Sequence, residues 1–333
     1  MSIARFRGPG HPDAVCDLIA AALAEAYLER DAQARTRFCV TGGRESVFVD
    51  GDLVSTADFD AAPIVRRIIA AVDPVLSFEP FLTCDAVQTE FLPYGASADP
   101  CVIIGYATAE TPSRLPVAQH LGRELMRAIE QRRTQEEEGF VLGSDYDLLL
   151  DDARREATIR MEVATEEHIP QVERLLQGLV DAHLSGWRLR MAGKGILGTS
   201  GLRRRSGASG RTSSADQGSS HLPASASGIG SVVRHPANLG AWLARAAACR
   251  LVDGGKGRGV LLVFRWDPYE TRPQLVSARN EHGEDLASQV DVALFDLLLP
   301  HSAFMRPGLL VEQIRADWDS AIELPWEKGQ VHE

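Results

Sequence analysis

The 333-residue sequence lacks the features that mark membrane, secreted and general nucleic-acid-binding proteins. No apolar run is long enough to cross a bilayer, and the opening Met1-Ser2-Ile3-Ala4-Arg5 has no apolar signal-peptide core. The five cysteines are scattered and odd in number, which argues against a disulfide or zinc framework and predicts reduced thiols in a cytoplasmic protein. The formal net charge of −11 disfavours broad contact with nucleic acid or anionic membranes, because both would repel it.

Two familiar nucleotide-binding motifs are also absent. The sequence contains neither a P-loop with its lysine nor a GxGxxG segment that leads into a helix. The remaining composition, 44% hydrophobic and 24% charged residues, is that of an ordinary globular protein, and the length predicts two or three domains.

Helical and strand patterns are mixed along the chain, which predicts an α+β fold. Pro12 suits the first turn of a helix, and the apolar residues behind it recur at helical spacing, with His11 at the cap and Asp13 in the first turn. Asp50-Gly51-Asp52 is predicted to be a tight turn between strands. A helix is predicted over residues 286–299, and residues 198–230 form a mobile Gly/Ser/Arg-rich loop, since they contain almost no large apolar side chain.

Three stretches carry a specific pattern: Gly10-His11-Pro12-Asp13, Gly105-Tyr106-Ala107-Thr108, and the closing Pro325-Trp326-Glu327-Lys328. In this order they resemble the S-adenosylmethionine synthases, also called methionine adenosyltransferases. The resemblance implies three similar α+β domains in a pseudo-threefold arrangement, which we place at residues 1–88, 89–197 and 198–333. The protein resembles a shortened, divergent member of that family.

The resemblance also implies a reaction. In the family, methionine sulfur attacks the 5′ carbon of ATP and expels triphosphate, in a site between the two subunits of a homodimer. Triphosphate requires cations around it, so Mg²⁺ is the implied cofactor, with K⁺ as a further candidate and ATP as substrate. The implied partners are therefore ATP, methionine or a related small molecule, and a second copy of the chain.

Site residues transfer from the family one by one. His11 matches the histidine that contacts the phosphates, and Asp13 matches the aspartate that holds magnesium. Asp52 and Asp99 match residues that hold methionine, and Gln88 falls in the family's gating loop. Arg154 and Arg205 match phosphate-binding positions, and Arg234 and His235 are the cationic candidates in the family's Gly-rich loop.

Other family positions are replaced. A lysine becomes Ala14, a magnesium aspartate becomes Thr199, and the lysine after the phosphate-binding arginine becomes Ser206. In the Gly-rich loop, Ser231 and His235 stand at lysines and Ala237 at an aspartate. Lysines and carboxylates are lost together, which leaves the predicted site close to neutral. An insertion or deletion in the Gly/Ser stretch would bring Asp216, Arg211 or Lys194 back into the site.

Simpler interpretations of these residues stay open at this point. His11 and Asp13 also fit a plain helix cap, Asp52 and Asp99 fit loop aspartates, and the arginine run at 203–205 fits a solvated loop. Three functions therefore remain: an S-adenosylmethionine synthase-like enzyme, a catalytically impaired paralogue that binds nucleotide or regulates an intact synthase as a hetero-oligomer, and altered nucleotide chemistry in specialised metabolism.

Overall fold

The computed structural model describes residues 2–72, 79–86, 97, 99–135, 142–163, 165–192, 196–197, 201–211 and 228–328. The candidate positions Gln88, Lys194, Thr199 and Asp216 lie outside these ranges. Within them, no helix is both long and apolar enough to span a membrane.

Twelve strands in the described ranges form three sheets. The strands are β1 (Ile3–Arg7), β2 (Arg35–Gly43), β3 (Ser46–Val54), β4 (Glu79–Ala86), β5 (Cys101–Thr108), β6 (Leu142–Asp151), β7 (Glu156–Val163), β8 (Arg188–Met191), β9 (Ile196–Leu197), β10 (Gly207–Ala208), β11 (Gly259–Trp266) and β12 (Gln274–Asn280). One sheet has the order β1-β6-β7-β8 with β9 paired to β7, a second has β10-β2-β3-β4, and a third has β12-β11-β5. The fold is α+β, as the sequence predicted.

Each sheet lies mainly in one of the three predicted domain ranges and takes one strand from another. The sheet of β2, β3 and β4 takes β10, the sheet of β6 to β9 takes β1, and the sheet of β11 and β12 takes β5. The three ranges are thus tied together by strand pairing. The linear boundaries at residues 88 and 197 stay a prediction.

Three helical segments that start with a proline pack against the sheets, one against each sheet. The helices are α1 (Pro12–Arg30), α2 (Ala62–Val72), α3 (Val117–Arg133), α4 (Ile169–His183), α5 (Ala241–Asp253) and α6 (Leu309–Arg315). Pro12 starts α1 against β2, Pro116 caps α3 against β1 and β6, and Pro236 starts a π-helical turn (Pro236–Gly240) that leads into α5 against β5. Proline suits these positions because its missing N–H has no partner in a first helical turn.

Two hydrophobic cores hold these layers. The larger core joins α1, α2 and α5 to the sheets of β2 and β11, and the smaller one packs α3 and α4 on β1, β6 and β7. Helix α1 is buried on nearly all sides and is rich in alanine, so its neighbours approach closely. This burial places the N-terminus of α1, with His11 and Asp13, in the interior of the chain.

Two predicted elements are wrong. Asp50-Gly51-Asp52 is not a turn but part of β3, because Gly51 (φ +137°) lets the strand pass where a Cβ would stand 2.0 Å from the carbonyl oxygen of Arg37. Residues 286–299 do not form one helix but two short 3₁₀ turns, Ala287–Gln289 and Val292–Phe295. The Asp291 carboxylate accepts the Ala293 N–H at 3.0 Å, a local bond that competes with a continuous helix.

Candidate active site

His11 caps α1 with its own ring. Its backbone is extended, and its Nδ1 accepts the Asp13 backbone N–H at 3.1 Å. Because Nδ1 accepts, the neutral ring carries its proton on Nε2, which lies 3.5 Å from the Asp147 carboxylate. Burial lowers the pKa of His11 to about 4, against the opposing charge of Asp147. His11 is therefore a neutral N–H donor at pH 7 rather than a cation.

Asp13 anchors a neighbouring segment of the chain, residues 201–211. Its Oδ1 accepts the Ala208 backbone N–H at 3.0 Å, and one turn later Asp17 accepts the Gly210 N–H at 2.7 Å. The guanidinium groups of Arg7 and Arg211 lie 3.9 and 3.8 Å from Asp13. Residues 201–211 of the predicted mobile loop are thus held against the N-terminus of α1.

An ion-pair network on β6 and β7 faces His11. Asp145 is 1% exposed and accepts bonds from Arg160 at 3.0 Å, from the Gly201 backbone N–H at 2.8 Å, and from Arg205. Asp147 accepts bonds from Arg160 and Arg5, each at 2.8 Å. Burial would raise the pKa of Asp147, but the hydrogen bond from Arg5 and the charge of Arg160 hold it below its usual value. Arg205, predicted to bind phosphate, is paired here with a buried carboxylate.

A second polar cluster surrounds His235, which also caps a helix. Its Nδ1 accepts the Ala237 N–H at 3.2 Å, and its Nε2 lies 3.1 Å from the Ser97 hydroxyl. Burial, followed by the charge of Arg37, lowers the pKa of His235 to about 4. Arg37 in turn binds Asp99 at 2.7 Å. His11 and His235 therefore cap their helices in the same way, at two separate places.

The two clusters lie at opposite ends of β2. The first adjoins Gly42, which pairs with Gly207, and the second contains Arg37, five residues away. At the rise of an extended strand this is about 17 Å. Asp52 belongs with the second cluster, since it is exposed on β3 directly opposite Arg37 in the ladder. The structure thus groups His11, Asp13 and Arg205 in one cluster and His235, Asp99 and Asp52 in the other.

Two predicted site residues fall elsewhere. Arg234 donates to the backbone carbonyls of Leu297 and Leu299, which fixes a loop of the chain. Arg154 lies in the turn between β6 and β7 with its side chain 75% exposed, next to Asp151. It is at the far end of β6 from Asp147, so one copy of the chain does not bring it to His11.

The residues at Asp13 do not fit a bound Mg²⁺ ion. Mg²⁺ prefers carboxylate, phosphate and water oxygens in octahedral geometry. One Asp13 oxygen instead accepts a backbone N–H, and two guanidinium groups lie within 4 Å of the carboxylate. Among the described residues, no three His, Cys, Asp or Glu side chains form a group that could hold a metal.

Several residues of these clusters escaped sequence reasoning, namely Arg7, Arg37, Ser97, Asp145, Asp147 and Arg160. The signal for Asp145 and Asp147 was their spacing of two in an apolar run, which is typical of one strand face. Arg37 and Asp99 are far apart in sequence and meet only through the packing of separate segments.

Gly207 allows the 201–211 segment to touch α1. A Cβ there would stand 2.3 Å from the Pro12 carbonyl carbon and 2.7 Å from the Asp13 nitrogen. We expect Gly207→Ala to lower the free energy of unfolding by about 1–3 kcal/mol, because backbone atoms must move apart. The matched control is Gly178→Ala on α4, where a Cβ meets nothing within 4 Å. Its expected effect is a gain of about 0.5–1 kcal/mol. Urea unfolding measures the free energy of unfolding of both variants. Equal changes in the two would contradict the close contact between Gly207 and the first turn of α1.

Comparison with known proteins agrees with this fold. The family model described as S-adenosylmethionine synthetase, N-terminal domain, matches residues 5–87. S-adenosylmethionine synthase 1 of Rhodospirillum rubrum is 27% identical over 209 residues, which is 54% of this chain and 52% of that protein. The S-adenosylmethionine synthase of Fusobacterium nucleatum is 31% identical over 133 residues, or 36% of this chain and 34% of that protein.

A solved structure extends the similarity over the whole fold. The unusual S-adenosylmethionine synthetase from Campylobacter jejuni superposes with a TM-score of 0.74, covering 99% of this chain and 93% of that one, at 15% identity. At this identity the likeness establishes the fold alone. Taken with the sequence matches, the shared fold supports the resemblance to the S-adenosylmethionine synthases, with this chain as a divergent relative. Its alignments span about half or less of the curated relatives' length.

Proposed function

We propose that this protein is an S-adenosylmethionine synthase-like transferase that binds ATP at the N-terminus of α1 and joins its adenosyl group to methionine or a related nucleophile. The observation that carries this proposal is the convergence of His11, Arg7, Arg205 and Arg211 around Asp13 at that helix N-terminus. Backbone N–H groups and the helix dipole favour anions at such a position, and arginines hold phosphate oxygens by paired hydrogen bonds.

The proposed reaction needs positioning and charge neutralisation rather than acid–base catalysis. The methionine sulfur forms a bond to the 5′ carbon of ATP while the bond from that carbon to the triphosphate oxygen breaks, and no proton moves. Arg205 and Arg211 would neutralise the departing triphosphate, and His11 would donate from Nε2. Asp13 would keep the 201–211 segment in place. Mg²⁺ would arrive as a counterion of ATP, and K⁺ has no assigned place.

The amino-acid end of the substrate belongs, in this proposal, to the second cluster. Asp99 and Asp52 flank Arg37 there and would hold the methionine ammonium group, while Arg37 would hold the carboxylate, with His235 behind them. Arg234 would only fix the adjoining loop. Gln88 stays a predicted contact outside the described residues. Since the clusters lie about 17 Å apart along β2, one chain does not join them, and a complete site would need a second copy. That copy would also supply Arg154.

Exposed apolar residues on the sheets support a homodimer. Phe48 on β3 and Phe81 on β4 are about half exposed, and their rings stack at 5.0 Å with an interplanar angle of 14°. Val102 on β5 and Val276 on β12 are 55% and 62% exposed. Large apolar side chains in clusters on open sheet faces are typical of interfaces.

Phe48→Glu is expected to shift the protein from dimer to monomer, because it places a charge at the centre of the proposed interface. Leu298→Glu is the matched control, since Leu298 is 51% exposed but lies in a loop outside the sheets. Light scattering after size exclusion measures the mass of each variant. A monomeric wild-type protein, or equal behaviour of the two variants, would contradict the proposed interface.

A non-catalytic role is the second candidate, and a specific observation favours it. Asp145 already pairs with Arg205, and the Ala208 N–H already donates to an Asp13 oxygen. The predicted phosphate-binding residue Arg205 and the predicted magnesium ligand Asp13 are therefore both satisfied within the chain. A protein of this kind would bind nucleotide, or would regulate an intact synthase as a hetero-oligomer. Altered nucleotide chemistry in the same cleft is the third candidate.

Mass spectrometry after incubation with ATP, methionine, Mg²⁺ and K⁺ separates these candidates. We expect S-adenosylmethionine to form, and its rate of formation to fall by about 100- to 1,000-fold in His11→Ala, which removes one preorganised donor. His183→Ala, at the exposed end of α4, is the control. Saturable ATP binding without S-adenosylmethionine formation would favour the regulatory role or the altered nucleotide chemistry. Absence of ATP binding would overturn the nucleotide site itself.

A further inference from the structure

A cavity lies where the three proline-led helices begin. It is lined by residues of the first turns of α1, α3 and α5, among them Ala14, Gln119 and Trp242, and by residues of the C-terminal segment. Its volume is about 170 Å³. Apolar cavities of roughly 150 Å³ admit a benzene ring, so this one has room for a small ring-bearing molecule.

One wall of the cavity is aromatic. Trp242 and Trp326 both line it, with their rings nearly parallel at 4.9 Å and 9°, and Phe304 lies parallel to Trp326 at 6.4 Å. The indole N–H of Trp242 donates to the Gln313 side chain at 3.1 Å, so its polar edge already has an acceptor. A planar apolar group is the natural occupant of such a wall.

Charged side chains of both signs line the cavity, and their charges are only partly paired with each other. Arg123 is bound by two carboxylates, Asp317 at 2.9 Å and Glu327. One guanidinium thus serves two acids, which leaves an excess negative charge beside Glu327. Glu327 and Asp317 both line the cavity.

Arg245 contributes a positive charge that has no carboxylate partner among the described residues. Within the described residues its hydrogen bonds go to backbone carbonyls, those of Tyr106, Arg114 (3.1 Å) and Ser113 (3.0 Å), and it forms no carboxylate pair within 4 Å. Burial lowers its pKa, although the charge of Glu327 acts in the other direction. Arg245 and Glu327 therefore attract one another across the cavity without contact.

We propose that this cavity binds an aromatic α-amino acid, with its carboxylate on Arg245, its ammonium group on Glu327 beside Asp317, and its ring against Trp242 and Trp326. A zwitterion pairs with Arg245 and with Glu327 at once, whereas a ligand that carries one charge leaves one of these two side chains without a partner of opposite charge. The cavity adjoins the polyphosphate cluster, since Arg7 and Asp17 also line it, but Arg245, Glu327 and the two tryptophans are not among the residues proposed to hold ATP. The proposal therefore stands whether or not the protein makes S-adenosylmethionine.

Intrinsic tryptophan fluorescence tests the site directly, because Trp242, Trp318 and Trp326 line the cavity and the sequence has five tryptophans. The probe is L-phenylalanine, which does not absorb where tryptophan is excited. We expect a saturable change with a dissociation constant on the order of 1 mM or tighter. Phenethylamine and 3-phenylpropionate, which each carry one charge, should bind at least about tenfold more weakly.

Arg245→Gln and Glu327→Gln should each weaken L-phenylalanine binding by about tenfold or more. Arg250→Gln, on the same helix but exposed, is the matched control and should bind as the wild type does. If loss of Arg245 unfolds the chain, Ala241→Leu fills the cavity from α5 and should abolish the fluorescence change instead. The proposal is overturned by no saturable change, by equal binding of the single-charge analogues, or by tighter binding of L-methionine that is lost in Arg245→Gln.

Discussion

Replacing Asp145 with asparagine is expected to lower the free energy of unfolding by about 3 kcal/mol. Asp145 is 1% exposed and holds two guanidinium groups, those of Arg160 and Arg205, together with the Gly201 backbone N–H. Asparagine keeps the volume but removes the charge, so the two half-buried arginines keep only Asp147 as a described carboxylate partner. Removing one partner of a buried pair costs more than the pair itself contributes.

Asp253→Asn is the control for this prediction. Asp253 pairs with Arg114 at 2.8 Å but is 46% exposed, so its loss should cost less than about 1 kcal/mol. The double variant Asp145→Asn/Arg205→Gln should recover part of the loss, since it removes a cation together with its anion. Urea unfolding of the wild type, Asp145→Asn, Arg205→Gln and the double variant gives the coupling energy. An Asp145→Asn effect no larger than that of Asp253→Asn would show that the network does not hold the segment.

The two helix-capping histidines should make the protein lose stability in mild acid. Each has a pKa of about 4 in the folded chain and 6.5 when unfolded, so the unfolded state binds more protons between these values. Their stabilising contribution is complete above pH 6.5 and is lost as the pH falls toward 4. At about pH 5 the loss is on the order of 2 kcal/mol for His11 and smaller for the partly buried His235.

Asparagine variants isolate this effect, because Asn also accepts an N–H at a helix cap but does not titrate. Between about pH 7.5 and pH 5, we expect wild-type stability to fall by about 2–4 kcal/mol more than that of the His11→Asn/His235→Asn variant.

Glu25 changes the stability with pH in the opposite direction. Burial raises its pKa to about 7, and its contribution is lost as the pH rises. Adding Glu25→Gln to the wild type and to the His11→Asn/His235→Asn variant removes the pH-dependent contribution of Glu25 from the comparison. Equal slopes in the paired proteins would contradict the neutral histidine caps.

The amino-acid sequence predicted those parts of the site that depend on local pattern. Pro12 and the periodic apolar residues behind it placed α1, and His11 lies at its cap, because a helix start is determined by a few adjacent residues. The same local reasoning failed at Gly51. There the decisive contact is with Arg37, a residue on another strand that local turn propensity does not take into account.

The sequence by itself determined the α+β class, the family resemblance and the helix that carries His11 and Asp13. The tertiary structure decided which charges meet. Only the packing of the 201–211 segment brings Arg205 to Asp145 and Ala208 to Asp13, and only packing separates His11 from His235. The physical reason is that charge–charge contacts join residues far apart in the chain, and their strength depends on burial and distance, which no local pattern encodes.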